Sequence, residues 1–212
     1  MTESNADELV FKIILIGDTN VGKSTLINKY IDKNFSEEIS PTIGLENKVK
    51  NIDVKGLKAK LQIWDTAGQE KYNSLSKQYF QNSDGILLVF DITNKESFNN
   101  IIKWYDDVIS YSGHRAKKLL IGNKNDMKDS VKVTNNEIQK FVKQNSLKFI
   151  ETSAKENINV EEAFQKIINL IIDKMPNNEL LEEFGTNAKK EHSMSLSNSS
   201  LNNLTKEKKK CC

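Results

Sequence analysis

Hydrophobic and polar positions alternate along this chain between two rhythms. Short, dense apolar runs suit buried strands, and stretches with apolar residues every three or four positions suit amphipathic helices. Val10–Ile16 is a run rich in β-branched residues that stops at Gly17. Beyond it Leu26, Ile27, Tyr30 and Ile31 recur at helical spacing, which predicts a first helix beginning near Lys23. Lys48–Val54 and Lys58–Trp64 alternate polar and apolar residues about Gly56 and read as a β-hairpin. Ile86–Phe90 is almost wholly apolar, as a central strand covered on both faces should be. A helix over Ser97–Ser110 follows, with Ile101, Ile102, Tyr105 and Ile109 expected on one face. A strand at Leu119–Ile121, a helix around Asn136–Gln144 and a strand at Lys148–Glu151 come next. The last helix, about Val160–Asp173, should turn Phe164, Ile167, Ile168 and Ile171 inward, and Pro176 ends it.

This alternation predicts an α/β fold: a single domain around a six-stranded, mostly parallel sheet with one antiparallel strand, flanked by helices and followed by a flexible C-terminal tail. The expected division is a disordered N-terminus over 1–8, the folded domain over 9–175 and a tail over 176–212. Within the tail, Leu180, Leu181 and Phe184 form a small apolar cluster able to dock on the domain or a partner.

Composition narrows the function classes. A formal net charge of +2 does not mark a nucleic-acid binder. The apolar runs are far shorter than the roughly 20 residues needed to span a bilayer, and the acidic start, MTESNADE, is unlike a signal peptide. A cytosol-facing protein is expected. The only two cysteines are Cys211 and Cys212, so no disulfide or zinc framework is available inside the domain.

The candidate chemistry begins where the first strand ends. Gly17-Asp18-Thr19-Asn20-Val21-Gly22-Lys23-Ser24 fits G-x-x-x-x-G-K-[ST] between a buried strand and a helix, where such a loop turns its amides onto phosphate oxygens. The helix start at Lys23 adds its positive dipole end. Lys23 should reach the β- and γ-phosphates, and the Ser24 hydroxyl should bind Mg²⁺. Asn20 stands where glycine is more usual, and Asn is one of the few residues that accept a left-handed backbone. Asp65-Thr66-Ala67-Gly68-Gln69 follows the third strand. Asp65 suits a Mg²⁺ ligand through water, the Gly68 amide a γ-phosphate contact, and Gln69 the placing of a water. Asn123-Lys124-Asn125-Asp126 follows another strand. The Asp126 carboxylate can accept two hydrogen bonds from the edge that guanine has and adenine lacks. Ser153-Ala154-Lys155, past the next strand, can supply an amide to the base carbonyl.

With these motifs in order across about residues 9–175, the chain resembles the Ras superfamily of GTPases. Lys60–Glu70 (KLQIWDTAGQE) and the Ile43-Gly44 pair after Thr42 are similar to the Rab family. The resemblance implies a switch cycling between GDP and GTP at membranes in vesicle traffic, with slow intrinsic hydrolysis. It implies that Asp18, Thr19, Asn20, Val21, Gly22, Lys23, Ser24 and Thr25 line the phosphates, with Lys23 and Gln69 catalytic. Phe35 should cover the guanine ring, Lys124 should pack along it, and Asn123, Asp126, Ser153, Ala154 and Lys155 should complete the base site. Thr42 should join Ser24 and Asp65 around Mg²⁺.

Trp64 and Tyr79 match two of the three aromatics through which Rab proteins meet effectors. Asn47 stands at the third position, and Lys71-Tyr72 replaces the more usual Arg-Phe pair. Cys211 and Cys212 match the Rab pattern of two geranylgeranyl groups, and two lipid chains anchor where one holds only marginally. Lys206, Lys208, Lys209 and Lys210 add attraction to anionic lipid. The implied partners are a guanine-nucleotide exchange factor, a GTPase-activating protein, a GDP-dissociation inhibitor, Rab escort protein, geranylgeranyl transferase and effectors, around a monomer that shuttles between a membrane and a cytosolic pool. The sole arginine, Arg115, precedes the strand at Leu119 and so starts at the end of the sheet away from the motifs, which predicts no arginine finger in cis. A scaffold that binds nucleotide without hydrolysing it, and a P-loop kinase or ATPase, are the competing classes. Gln69 opposes the first and the Asn123–Asp126 motif the second.

Overall fold

The computed structural model describes residues 9–33, 45–54, 56–66, 80–112 and 115–173. Strand β1 (Leu9–Ile16) is followed by α1 (Lys23–Asp32), β2 (Leu45–Val54), β3 (Leu57–Thr66), β4 (Gly85–Asp91) and α2 (Lys95–Tyr111). Then come β5 (Lys117–Asn123), a 3₁₀ turn (Lys128–Ser130), α3 (Asn135–Gln144), β6 (Lys148–Glu151) and α4 (Val160–Ile172). The six strands form one sheet in the order β2-β3-β1-β4-β5-β6. Among the strand pairs of the described residues, β2–β3 is antiparallel and the other four are parallel. The predicted strands and helices are all present: β6 keeps its expected bounds, α4 ends one residue earlier than expected, and the others extend beyond their patterns, β5 the furthest.

Period-two alternation sorts the sheet into two cores. Phe11, Ile13 and Leu15 of β1, Leu87 and Val89 of β4, and Leu119 and Ile121 of β5 face α1 and α4. Ile14, Ile16, Ile86, Leu88, Phe90 and Leu120 face α2 and α3. Every residue of β4 is buried, as a strand covered on both faces requires. Helix α4 buries the expected Phe164, Ile167, Ile168 and Ile171 and, with them, Val160, Ala163 and Ile172; Phe164 stacks on Tyr30 of α1 at 3.9 Å.

The face of α2 differs from expectation. Phe98, Ile101, Trp104 and Val108 are buried, Ile102 and Ile109 are 50% and 46% exposed, and Tyr105 is half-buried against Phe141. The physical reason is area. Phe98 and Trp104 carry more apolar surface than the isoleucines one step round the helix, so their stripe turns to the sheet. Asn94 fixes where α2 starts, its side chain accepting from the amides of Glu96 and Ser97.

Chain order reverses beside β1, which lies between β3 and β4. In an open α/β sheet this is where a crevice forms beyond the carboxyl ends of the strands. The loops after β1, β3, β5 and β6 all leave from that edge, because these strands run parallel.

Candidate functional site

The loop after β1 is shaped by two close approaches. A Cβ on Gly17 (φ 147°) would lie 2.0 Å from the Val89 carbonyl oxygen, and one on Gly22 (φ 93°) 2.4 Å from Asn123 Nδ2. Both positions therefore require glycine, for space as well as for backbone angle. Asn20 has φ 62°, the left-handed geometry expected of it. Lys23 is buried at 5% exposure, and its ammonium donates to the carbonyls of Gly17 at 2.7 Å and Asp18 at 3.1 Å. A buried cation costs too much without such partners, and here the loop itself wraps around it. Helix α1 starts with neither a side-chain cap nor an acidic residue in its first turn, so its own first turn leaves its positive end uncompensated. Ser24 is half-buried at the second helical position, and Thr19 is exposed.

Beside this loop stands the end of β3. Asp65 pairs with Leu15 across the strands and is 4% exposed, and Thr66 Oγ1 donates to the Leu15 carbonyl at 2.7 Å. A hydroxyl and a carboxylate are hard oxygen donors of the kind Mg²⁺ takes when phosphates and water supply its remaining ligands.

The loops after β5 and β6 are locked together and to the first loop. Asn123 Nδ2 donates to the Val21 carbonyl at 2.9 Å, and its Oδ1 accepts from Thr152 Oγ1 at 3.1 Å. Thr152 accepts through its carbonyl from the Asn125 amide at 3.0 Å. Asp126 Oδ1 accepts from Ser153 Oγ at 2.6 Å, and Ser153 Oγ also accepts from the Glu156 amide at 3.0 Å. This holds one carboxylate oxygen while the carboxylate stays partly exposed. Lys124 (φ 69°) places its ammonium 2.7 Å from Asp91 Oδ2, whose other oxygen accepts from the amide and hydroxyl of Thr93. Ala154 is buried and Lys155 exposed.

The fold thus brings together Asp18–Thr25, Asp65, Asn123–Asp126 and Ser153–Lys155 on one edge. Phe35, Thr42, Gly68, Gln69, Lys71, Tyr72, Tyr79, Cys211 and Cys212, and the termini assigned to 1–8 and 176–212, lie outside the described residues. Asn47 is exposed and sits directly across from Trp64, which is half-buried with the Lys12 ammonium 5.5 Å from its ring centre. Four supporting residues escape the sequence reading: Asp91, Asn100, Trp104 and Thr152. Asp91 carries one signal in the sequence, an acid at a strand's carboxyl end. The other three carry no local signal.

The chain matches the family described as Ras family over residues 12–173. It is 38% identical to the Ras-related protein SEC4 of Saccharomyces cerevisiae, over 96% of this chain and 91% of that protein. It is 40% identical to Ras-related protein Rab-10 of Diplobatis ommata, over 80% of this chain and 84% of the relative. This chain belongs to the Rab family of Ras-like small GTPases. A maize relative, GTP-binding protein YPTM1, is 42% identical over 76% of this chain and 77% of its own length. As a Rab-like small GTPase the protein binds guanine nucleotide, hydrolyses GTP and regulates vesicle traffic, with regulators and effectors as its kinds of partner. No helix among the described residues is long and apolar enough to cross a membrane.

Proposed function

We propose that the edge built from the loops after β1, β3, β5 and β6 is the guanine-nucleotide site of a GTP-driven switch, in a domain over 9–175 followed by a membrane-directed tail over 176–212. The observation that carries this reading is the Asn123 side chain, which joins the phosphate loop at Val21 to the base loop bearing Asp126. One buried amide thereby sets the distance between the group that grips phosphate and the group that selects the purine.

In this reading the amides of Asp18–Thr25 and the α1 start hold the phosphates, and Lys23 leaves its loop carbonyls for the β- and γ-phosphate oxygens. Asp126 takes the N1–H and N2–H₂ edge of guanine, Lys124 and Phe35 flank the ring, and Ser153–Lys155 meets the base carbonyl. Ser24, Thr42 and Asp65 would hold Mg²⁺, which when bound offsets charge on the phosphates. Gln69 orients the attacking water, and Lys23 offsets charge that develops as the γ-phosphoryl departs. Thr42 and the Gly68 amide bind the γ-phosphate in the GTP state, and its loss lets their loops relax.

With no arginine near the phosphates, hydrolysis is slow until a GTPase-activating protein supplies one, and an exchange factor resets the cycle. Geranylgeranyl groups on Cys211 and Cys212, added by geranylgeranyl transferase with Rab escort protein, anchor the monomer on a cytoplasmic membrane face. A GDP-dissociation inhibitor withdraws it to the cytosol.

Single-turnover phosphate release from GTP-loaded protein tests the reading. Slow release by the wild type, reduced roughly tenfold or more in Gln69→Leu, is expected. Retention of GTP with no release by the wild type would leave a passive scaffold instead.

A further inference from the structure

The phosphate loop contains one acidic side chain, Asp18, and its two carboxylate oxygens are both engaged by α2. Asn100 Nδ2 donates to Oδ2 at 2.6 Å and Trp104 Nε1 donates to Oδ1 at 2.9 Å. The two donors stand one turn apart on the helix's inner face, 6% and 3% exposed. On the main-chain side, the Asp18 carbonyl accepts from the Lys23 ammonium. The residue is thus clamped through backbone and side chain at once.

A carboxylate in an anion-binding loop is a liability, because like charges a few ångströms apart disfavour each other. Two buried N–H donors lessen that liability by giving the carboxylate charge-assisted partners on the α2 side. Helix α2 is also keyed to the other half of the site. Ser97 Oγ accepts from the Asp91 amide at 3.1 Å, and Asp91 holds Lys124. One helix therefore braces both the loop for phosphate and the loop for the base.

We propose that Asn100 and Trp104 are positioning residues for nucleotide retention: acting through Asp18, they hold the phosphate loop in shape and keep its carboxylate turned from the bound phosphates. This rests on the nucleotide reading above. Neither residue touches nucleotide in this scheme, so their effect must vanish when the Asp18 carboxylate is removed.

The test is the release rate of a fluorescent GDP analogue from full-length protein with Mg²⁺ present. The Asn100→Ala/Trp104→Phe pair is measured both alone and in an Asp18→Ala background. Alone, the pair should release the analogue at least about tenfold faster than wild type, as the loss of charge-assisted bonds implies. In the Asp18→Ala background it should change release by less than about twofold. Equal acceleration in both backgrounds would mean that α2 acts only as packing and would overturn the inference, as would no acceleration in either. Should the paired variant not fold, Asn100→Ala alone keeps the core tryptophan and is judged by the same comparison, with about threefold expected. A wild type that retains no guanine nucleotide would remove the functional reading itself and this inference with it. Normal wild-type retention with unchanged release in the variants overturns the inference alone.

Discussion

Asn123 and Val21 lie 102 positions apart in the chain and are joined by one buried hydrogen bond of 2.9 Å, from the Asn123 side-chain amide to the Val21 carbonyl. The same amide's oxygen accepts from Thr152. Asn123→Ala abandons both partners inside the protein, at about 1–3 kcal/mol for each polar group left unsatisfied. The expected outcome is a lower urea midpoint with an unchanged denaturant slope, together with faster GDP release. A midpoint equal to wild type would mean that the bond does not brace the site.

Asp126 is oriented by Ser153, whose hydroxyl donates to it at 2.6 Å. Losing two charge-assisted bonds to guanine should cost roughly 10²–10⁴ in GDP affinity for Asp126→Ala. Ser153→Ala leaves the carboxylate in place but unoriented, and about tenfold is expected. Equilibrium titration with GDP and with inosine diphosphate, which lacks the exocyclic amine, separates the effects. Wild type should favour GDP clearly, and Asp126→Ala should lose that preference.

Much of this was readable from the chain, for reasons visible in particular residues. The unbroken apolar run at Ile86–Phe90 forces a doubly covered strand, and the loop from Gly17 to Ser24 is contiguous, so its geometry follows from local rules down to the left-handed Asn20. The pattern alone does not decide the face of α2, because Ile101, Ile102, Tyr105 and Ile109 satisfy helical spacing as well as Phe98, Ile101, Trp104 and Val108 do. Only the sheet's demand for large side chains separates the two stripes. The Asp18 contacts with Asn100 and Trp104 span 82 and 86 positions, and no periodicity encodes a pairing made by topology. Lys124 with Asp91 is the same kind of contact, formed because β4 and β5 are neighbours.

The start of α3 gives a prediction in pH. Thr134 and Glu137 form a reciprocal cap, and Glu137 also meets the Lys95 ammonium of α2. Hydrogen bonds from Lys95 first, then from Thr134, pull the Glu137 carboxyl from the ordinary value near 4.5 down to about 2. A carboxyl depressed by folding adds stability that is full above its unfolded value and is lost as pH falls through the folded one. The stability gap between wild type and Glu137→Gln should therefore be constant above about pH 5 and narrow between about 4.5 and about 2. Thermal unfolding at stepped pH reads this directly, and a gap that widens on acidification would contradict it. Thr134→Ala should cost about 1 kcal/mol at neutral pH.

Arg115 is exposed just before β5, near Asp84, whose carbonyl accepts from the Lys117 amide at the entry end of the sheet. Asn123 is the last of the seven residues of β5, so the strand sets it roughly 20 Å from the end where Arg115 lies. Arg115→Ala is expected to leave intrinsic GTP hydrolysis within about twofold of wild type. A loss of about a hundredfold would show that this arginine reaches the phosphates after all.

The central claim is that the edge joined through Asn123 selects guanine while gripping phosphate. Its most direct measurement is displacement of a fluorescent GDP analogue from the wild-type protein, with Mg²⁺ present, by unlabelled nucleotides. GDP and GTP should displace the analogue stoichiometrically, while ATP and ADP should fail to do so even at about a thousandfold excess. Displacement by adenine nucleotides at concentrations similar to those of GTP, or failure to hold the analogue at all, would contradict the account.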